Sequence, residues 1–210
     1  SGRIEDVQIE GTPFTGLKTA RGFTPVSAAI GGLVDLTDEI KLGLTGSTTA
    51  RTPAQTELFS RGPHDGPQTF ETGNPNLKME RANSLEGTIR LRFPEFTFDG
   101  SIYTTSFDNY VYGALTGRNC DDAGACAFGS AGELRELNYI QQSANFRGLE
   151  GKAAHDLFHT QGGVLQVTAL ADYVRATLSG GVNVPRIPAW RAGGGLEWQS
   201  ESFDAGFQIM

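Results

Sequence analysis

The sequence predicts an all-β chain, an antiparallel up-and-down sheet of about nine strands. Three observations predict it: segments alternating apolar and polar residues with period two, connections that are short and long by turns, and 28 glycines without a collagen-like repeat. Ile4–Glu10 and Gly22–Leu36 are the first expected strands. In EIKLGLTGS, Ile40, Leu42 and Leu44 then face away from Glu39, Lys41 and Thr45. SLEGTIRLRF puts Leu85, Gly87, Ile89, Leu91 and Phe93 on one face and Ser84, Glu86, Thr88, Arg90 and Arg92 on the other. Phe96–Tyr112 and Glu136–Ala154 follow. VLQVTALADYVRATL places Leu165, Val167, Ala169, Ala171 and Tyr173 opposite Gln166, Thr168 and Asp172, with Leu170 breaking the polar face. Arg186–Gln199 and Phe203–Met210 complete the set.

The connections have an order. Thr37–Asp38, Pro94–Glu95, His159–Gly163 and Ser200–Ser202 are short; Gly11–Arg21, Arg51–Leu77, Leu115–Arg135 and Ser179–Pro185 are long. Short turns at one rim and long loops at the other are the wiring of a transmembrane β-barrel, whose strands meet lipid on one face and water on the other. A soluble β-sandwich would show the same alternation; strand length and loop asymmetry favour the barrel wall. Phe93, Phe96, Phe98, Phe158 and Phe203 lie beside the short turns, where an interfacial girdle would stand. About nine strands make an incomplete barrel.

Composition narrows the function. Acidic residues outnumber basic ones, 24 to 17, for a formal charge of −7, which argues against a nucleic-acid partner, since a nucleic acid needs an extended basic face. No apolar run approaches the ~20 residues of a spanning helix. The opening SGRIEDVQIE has no leader-like apolar region, and SFDAGFQIM stops within an alternating segment, so both ends are expected to be cuts in a longer chain. Catalysis finds no support: there are three histidines and no G-x-S-x-G. Cys120 and Cys126, in RNCDDAGACAFG, are expected to close a small disulfide loop, with two unrelated thiols or a metal pair as alternatives.

The stretch ELFSRGPHDGPQTFETGNPNLKME, Glu57–Glu80, is too long for a turn and lacks a periodicity of its own, so it reads as a long functional loop. With its flanks it resembles the barrel of TonB-dependent outer-membrane receptors. The residues carrying the resemblance are Arg51, Pro53, Glu57, Leu58, Phe59, Gly62, His64, Phe70, Glu71, Gly73, Asn74, Pro75, Leu77 and Glu80. FDNYVYG, ANFRGLEGKA and NVPRIPAWRAGGGLEW look like further barrel segments of such receptors, and the ELFSRGPH form is closest to the zinc-uptake branch.

The resemblance implies a receptor, not an enzyme, in the bacterial outer membrane. It would take up a scarce nutrient, zinc or another metal or a metal chelate such as a siderophore or haem. Residues 1–210 would be one fragment of the barrel domain; the plug that contacts the TonB complex and the closing strands would be absent from it. Expected partners are outer-membrane lipid, TonB through the plug, and extracellular metal or chelate; no resident cofactor is implied. The candidate ligand-binding residues are His64, Asp65 and Glu71, with His64 as the metal contact. The soluble ligand- or carbohydrate-binding module remains the alternative.

His155 and His159 are four apart but on a strand, roughly 13 Å from each other, which is too far for joint ligation. They are expected to be rim residues. Asp121, Asp122 and Glu133 are expected in a solvated acidic loop, and RAGGGLEW lacks the helix and Lys-Ser/Thr of a phosphate loop. Folded alone, the chain is expected to associate or to bend its sheet over itself, because open edges and an apolar face are exposed.

Overall fold

The computed structural model describes residues 1–11, 19–188 and 190–210. The middle of the expected Gly11–Arg21 connection and one residue of the expected Arg186–Gln199 strand therefore lie outside the described residues. In chain order the elements are β1 (Gly2–Ile4), β2 (Val7–Gly11), β3 (Thr19–Phe23), β4 (Val26–Asp35), β5 (Ile40–Arg51), α1 (Gln55–Phe59), β6 (Arg61–His64) and β7 (Thr69–Thr72). There follow β8 (Glu80–Phe93), β9 (Phe96–Cys120), β10 (Cys126–Ala127), β11 (Leu134–Thr160), β12 (Gly163–Leu178), β13 (Trp190–Gln199) and β14 (Asp204–Ile209).

The main sheet runs β1-β4-β5-β8-β9-β11-β12-β13-β14, nine strands in up-and-down order, with β6, β7 and β10 attached beside it. This is the expected antiparallel architecture of part of a barrel. The four short turns fall where expected, each joining consecutive strands of the sheet.

Three expectations are corrected. Ile4–Glu10 and Gly22–Leu36 are not single strands: β1 pairs with β4, while β2 pairs with β3 in a separate two-stranded sheet. The break falls at Thr24 and Pro25, where proline has no N–H to continue a ladder. Glu5 N–H instead donates to Pro25 O at 3.3 Å and Thr24 Oγ1 donates to Asp6 at 3.0 Å. The expected Leu115–Arg135 loop is shorter, since β9 continues to Cys120 and β11 starts at Leu134. Glu57–Glu80, expected to have no elements of its own, takes in the end of α1 and the whole β6–β7 hairpin.

Contacts divide the chain into two compact units. The first, Ser1–Ala28, Thr48–Ala82 and Phe107–Ser143, holds two buried clusters among the described residues. Leu58, Phe59, Leu77 and Val111 form one, with Ile9, Phe23 and Tyr139 packed against it; Phe70, Cys120 and Leu134 form the other, with Cys126.

The second unit, Ala29–Ser47, Asn83–Ser106 and Ala144–Met210, is wall. Its apolar face is open: Leu42, Leu44, Leu85, Ile102, Leu149 and Tyr173 are all exposed, Leu85 by 51%. The polar face is laced by charge pairs, Arg92–Asp99 at 2.8 Å and Arg191–Asp172 at 2.9 Å among them. Neighbouring short turns are tied together, with Arg92 N–H on Glu39 O (2.8 Å) and Asp156 N–H on Glu95 O (2.9 Å).

Candidate functional site

The segment that carried the resemblance folds as a clamp followed by a hairpin. Pro53 is fully buried, and α1 follows from Gln55. Ala54 cannot cap the helix with its side chain, so Glu57 reaches back to accept from Ala54 N–H at 2.7 Å. The same Glu57 carboxylate takes Arg51 Nη1 at 2.9 Å. Arg51 also bonds Glu80 through Nε at 3.2 Å and Nη2 at 3.3 Å, and Glu80 Oε2 accepts from Val111 N–H at 2.8 Å. One guanidinium therefore joins the end of β5, α1 and the start of β8, a job suited to its planar fork of donors. Burial disfavours the Arg51 charge, but the two carboxylates outweigh it and raise its pKa.

β6 and β7 pair antiparallel, with Gly62 opposite Glu71 and His64 opposite Thr69. The tip runs from Asp65 to Gln68, whose N–H donates to Asp65 O at 3.2 Å and whose φ is 51°. β7 then lies parallel to β11, Phe70 beside Glu136 and Glu71 beside Leu137. Phe70 is buried against Cys120 and Leu134, and the Arg61 guanidinium sits 5.6 Å from its ring centre.

Cys120 and Cys126 are bonded to each other, and the loop they close packs on this ring. Gly124 has φ +85°, and a Cβ there would stand 2.5 Å from Phe70 Cζ. The cysteine loop and the histidine hairpin, far apart in sequence, thus form one body.

At the hairpin's side, His64 Nδ1 lies 2.9 Å from Glu71 Oε1. Thr69 Oγ1 donates to the same oxygen at 3.2 Å, and the Tyr139 hydroxyl donates to Oε2 at 3.0 Å. Burial opposes ionisation of Glu71, yet the hydrogen bonds from His64, Tyr139 and Thr69 and the field of His64 outweigh it and hold its pKa below the ordinary carboxylate value. In the neutral tautomer that donates Nδ1–H to that carboxylate, Nε2 carries the lone pair. The imidazole side chain is 60% exposed.

The three candidate ligands are thus used differently. His64 keeps Nε2 without a hydrogen bond among the described residues, and Glu71 spends both oxygens on His64, Thr69 and Tyr139. Asp65 is exposed at the start of the turn. Tyr139, which no sequence pattern singled out, supplies the hydrogen bond that fixes Glu71 from β11.

Other candidates fall elsewhere. Glu136 lies within metal-ligating distance of both cysteines, the only such group among the described residues. The sulfurs are spent on each other, and the carboxylate is held by Arg118 Nε at 2.6 Å and by Thr116. Asp121 caps its own loop, accepting from Ala125 N–H at 2.8 Å; Asp122 and Glu133 are exposed. His155 donates Nδ1–H to Glu95 O at 2.7 Å, while His159 Nε2 lies 3.6 Å from Asp156. The glycines of RAGGGLEW sit in β13, paired with β12 and β14.

Residues 1–209 match the family profile described as "TonB dependent receptor-like, beta-barrel". The chain belongs to the TonB-dependent receptors. These are outer-membrane proteins of bacteria and transporters, not enzymes, which gives the open apolar face its medium.

Among solved structures, the chain is similar to the copper transporter OprC (TM-score 0.69, 19% identity, covering 91% of this chain and 26% of that one). It is also similar to the hemophore receptor HasR of Serratia marcescens, solved with HasA and heme (TM-score 0.60, 16% identity, 100% and 38%). The siderophore receptor PirA of Pseudomonas aeruginosa is a third (TM-score 0.60, 14% identity, 91% and 36%). The chain thus spans between a quarter and two fifths of the length of these receptors. At such identities the likeness is one of fold.

Proposed function

We propose that the chain supplies part of the wall and outer loops of a longer receptor that takes up a scarce nutrient by TonB-dependent transport. The nutrient class is a metal ion or a metal chelate such as a siderophore or haem. Support for a longer receptor comes from the share of each neighbour covered, 26–38%. A plug that contacts TonB and further strands would lie outside these 210 residues. The similar structures are a copper transporter, a hemophore receptor with heme and a siderophore receptor, which supports the metal class. Selectivity itself rests on loops and plug.

The finer proposal is that His64 contacts a zinc ion on its way in. The observation that carries it is the His64–Glu71 pair: a ligating imidazole commonly donates its other N–H to a carboxylate, which fixes tautomer and ring orientation. Glu71 is then the orienting group, and Asp65 is the oxygen donor available beside it in sequence. One histidine cannot complete a tetrahedral shell, so the remaining ligands come from parts of the receptor outside this chain.

Calorimetric titration of the full-length receptor with zinc and with ferric chelates, wild type against His64→Ala and Glu71→Gln, tests this. Zinc affinity should fall roughly 10–100-fold in Glu71→Gln and further in His64→Ala. An unchanged zinc isotherm in His64→Ala removes the metal assignment. A soluble binding module is not favoured, since Leu85 and its neighbours stay open instead of being sealed in a globule.

A further inference from the structure

In the wall unit, arginines on the polar face have carboxylate partners: Arg90 and Arg92 meet Asp99, and Arg191 meets Asp172. Two arginines on the opposite, apolar face do not. Arg147 of β11 and Arg175 of β12 are directly opposed across the ladder, one register step from the Leu149–Tyr173 pair and two residues from it along each strand. Alternation puts all four side chains on one side of the sheet. On the other flank the same-face neighbours are Asn145 and Thr177, also uncharged. Both arginines are exposed, and neither has a hydrogen bond or ion pair among the described residues. Like charges set directly opposite each other destabilise a sheet, so the pair is costly unless an anion bridges it.

Height along the wall says which anion. The outward residues of β12 between the short turn and Arg175 are Leu165, Val167, Ala169, Ala171 and Tyr173, with no charge among them. That is a span of about nine residues, the length of a strand crossing the hydrocarbon core at a tilt of roughly 45°. The short turn marks one interface, so Arg147 and Arg175 stand at the other, at the headgroups of the outer leaflet. Immediately beside Arg147 opens an apolar groove of about 480 Å³, lined by Leu44, Leu85, Ile102, Leu149 and Tyr173. Its walls suit a hydrocarbon chain, and its charged end suits the phosphate of the same molecule.

We propose that Arg147 and Arg175 bind the phosphate of an outer-leaflet lipid whose acyl chain lies in the groove beneath them. The two guanidiniums share one phosphate through charge-assisted hydrogen bonds, which relieves their mutual repulsion and leaves the chain lying along Leu85 and Ile102. The proposal rests on the barrel wall alone and is independent of which nutrient is carried.

The test uses the full-length receptor in neutral detergent, with lipid retention read by native mass spectrometry. Four probes are compared: a phosphatidic acid, the matching diacylglycerol, phosphatidylcholine and inorganic phosphate. Wild type should retain phosphatidic acid preferentially, and Arg147→Gln/Arg175→Gln should lose about thirtyfold in that affinity, roughly fivefold for each charge at a membrane surface. Arg147→Lys/Arg175→Lys should keep most of it. If the double glutamine variant fails to assemble, Arg175→Gln alone should lose about fivefold, with circular dichroism confirming the barrel. Equal retention by wild type and the glutamine variants overturns the proposal. Equal occupancy by inorganic phosphate overturns the lipid, and equal retention of diacylglycerol overturns the role of the charge.

Discussion

Gly73 lies against the peptide joining Leu58 to Phe59, so closely that a Cβ at Gly73 would stand 2.6 Å from both Leu58 C and Phe59 N. Gly73 N–H donates to Ser60 O at 2.8 Å and Asn74 N–H to Glu57 O at 2.8 Å, so the strand leaving the hairpin is stitched to the end of α1. Backbone cannot give way as a side-chain tip can. Gly73→Ala should therefore push α1 and β7 apart, at a cost of about 1–3 kcal/mol. Trypsin cleavage after Arg61 in the folded receptor should accelerate. A digestion pattern identical to wild type would show that the contact is slack.

Arg51 offers a second lever. Its removal leaves Glu57 and Glu80 facing one another, with Glu80 mostly buried. Arg51→Met should cost about 1–2 kcal/mol, discounted because the guanidinium is partly exposed. Glu80→Gln should cost less, because the amide oxygen can still accept from Val111 N–H. Thermal scans in detergent should rank the variants in that order, and the reverse ranking would mean that Glu80 rather than Arg51 organises the clamp.

Phe70 fastens the hairpin to the disulfide loop. Phe70→Ala should remove about 3 kcal/mol of docking energy, raising the undocked population roughly a hundredfold. Amide exchange at β6 and β7 should quicken while β12 and β13 stay protected. Cys120→Ser/Cys126→Ser should move the same amides by about 2 kcal/mol, the chain-entropy value for so short a loop. Uniform loosening of the whole wall would contradict a local role for Phe70.

The Glu71 pKa gives the hairpin a pH dependence of fixed sign. A lowered folded pKa means that stabilisation is fully present above the ordinary carboxylate value and is lost as pH falls through the folded one. Protection factors in β6 and β7, taken after correcting exchange for its intrinsic pH dependence, should therefore fall on acidification below about pH 4, and Glu71→Gln should flatten part of that fall. Glu136, held low chiefly by its hydrogen bond from Arg118, contributes in the same direction. A loss of protection confined to the alkaline side of neutrality would refute the assignment.

The isolated 210-residue chain presents β1 and β14 as sheet edges and an apolar face that stays exposed among the described residues of the wall unit. Without lipid or detergent it should associate. A single monomeric species by light scattering would argue against this.

What could be read from the sequence was the wall. Leu85, Ile89 and Leu91 against Glu86, Arg90 and Arg92 repeat with the pleat, and a short turn at Pro94–Glu95 or His159–Gly163 needs little more than local sequence. The hairpin was not legible as structure because its ladder depends on partners elsewhere. β6 and β7 are four residues each, too short to show a period, and β7 is held by residues 135–138. Glu71 could be picked out as a carboxylate near His64, but its orienting role required Tyr139, 68 residues away. The Gly22–Leu36 segment misled because its apolar pattern runs through Pro25, where the missing N–H decides.

The parallel seating of β7 on β11 also sets an order of events. Thr69 pairs with Arg135, so the hairpin has no berth until more than sixty further residues have been made and β11 is in place. Closing so wide an intervening loop comes late in assembly. The histidine face is then among the last surfaces of this segment to mature.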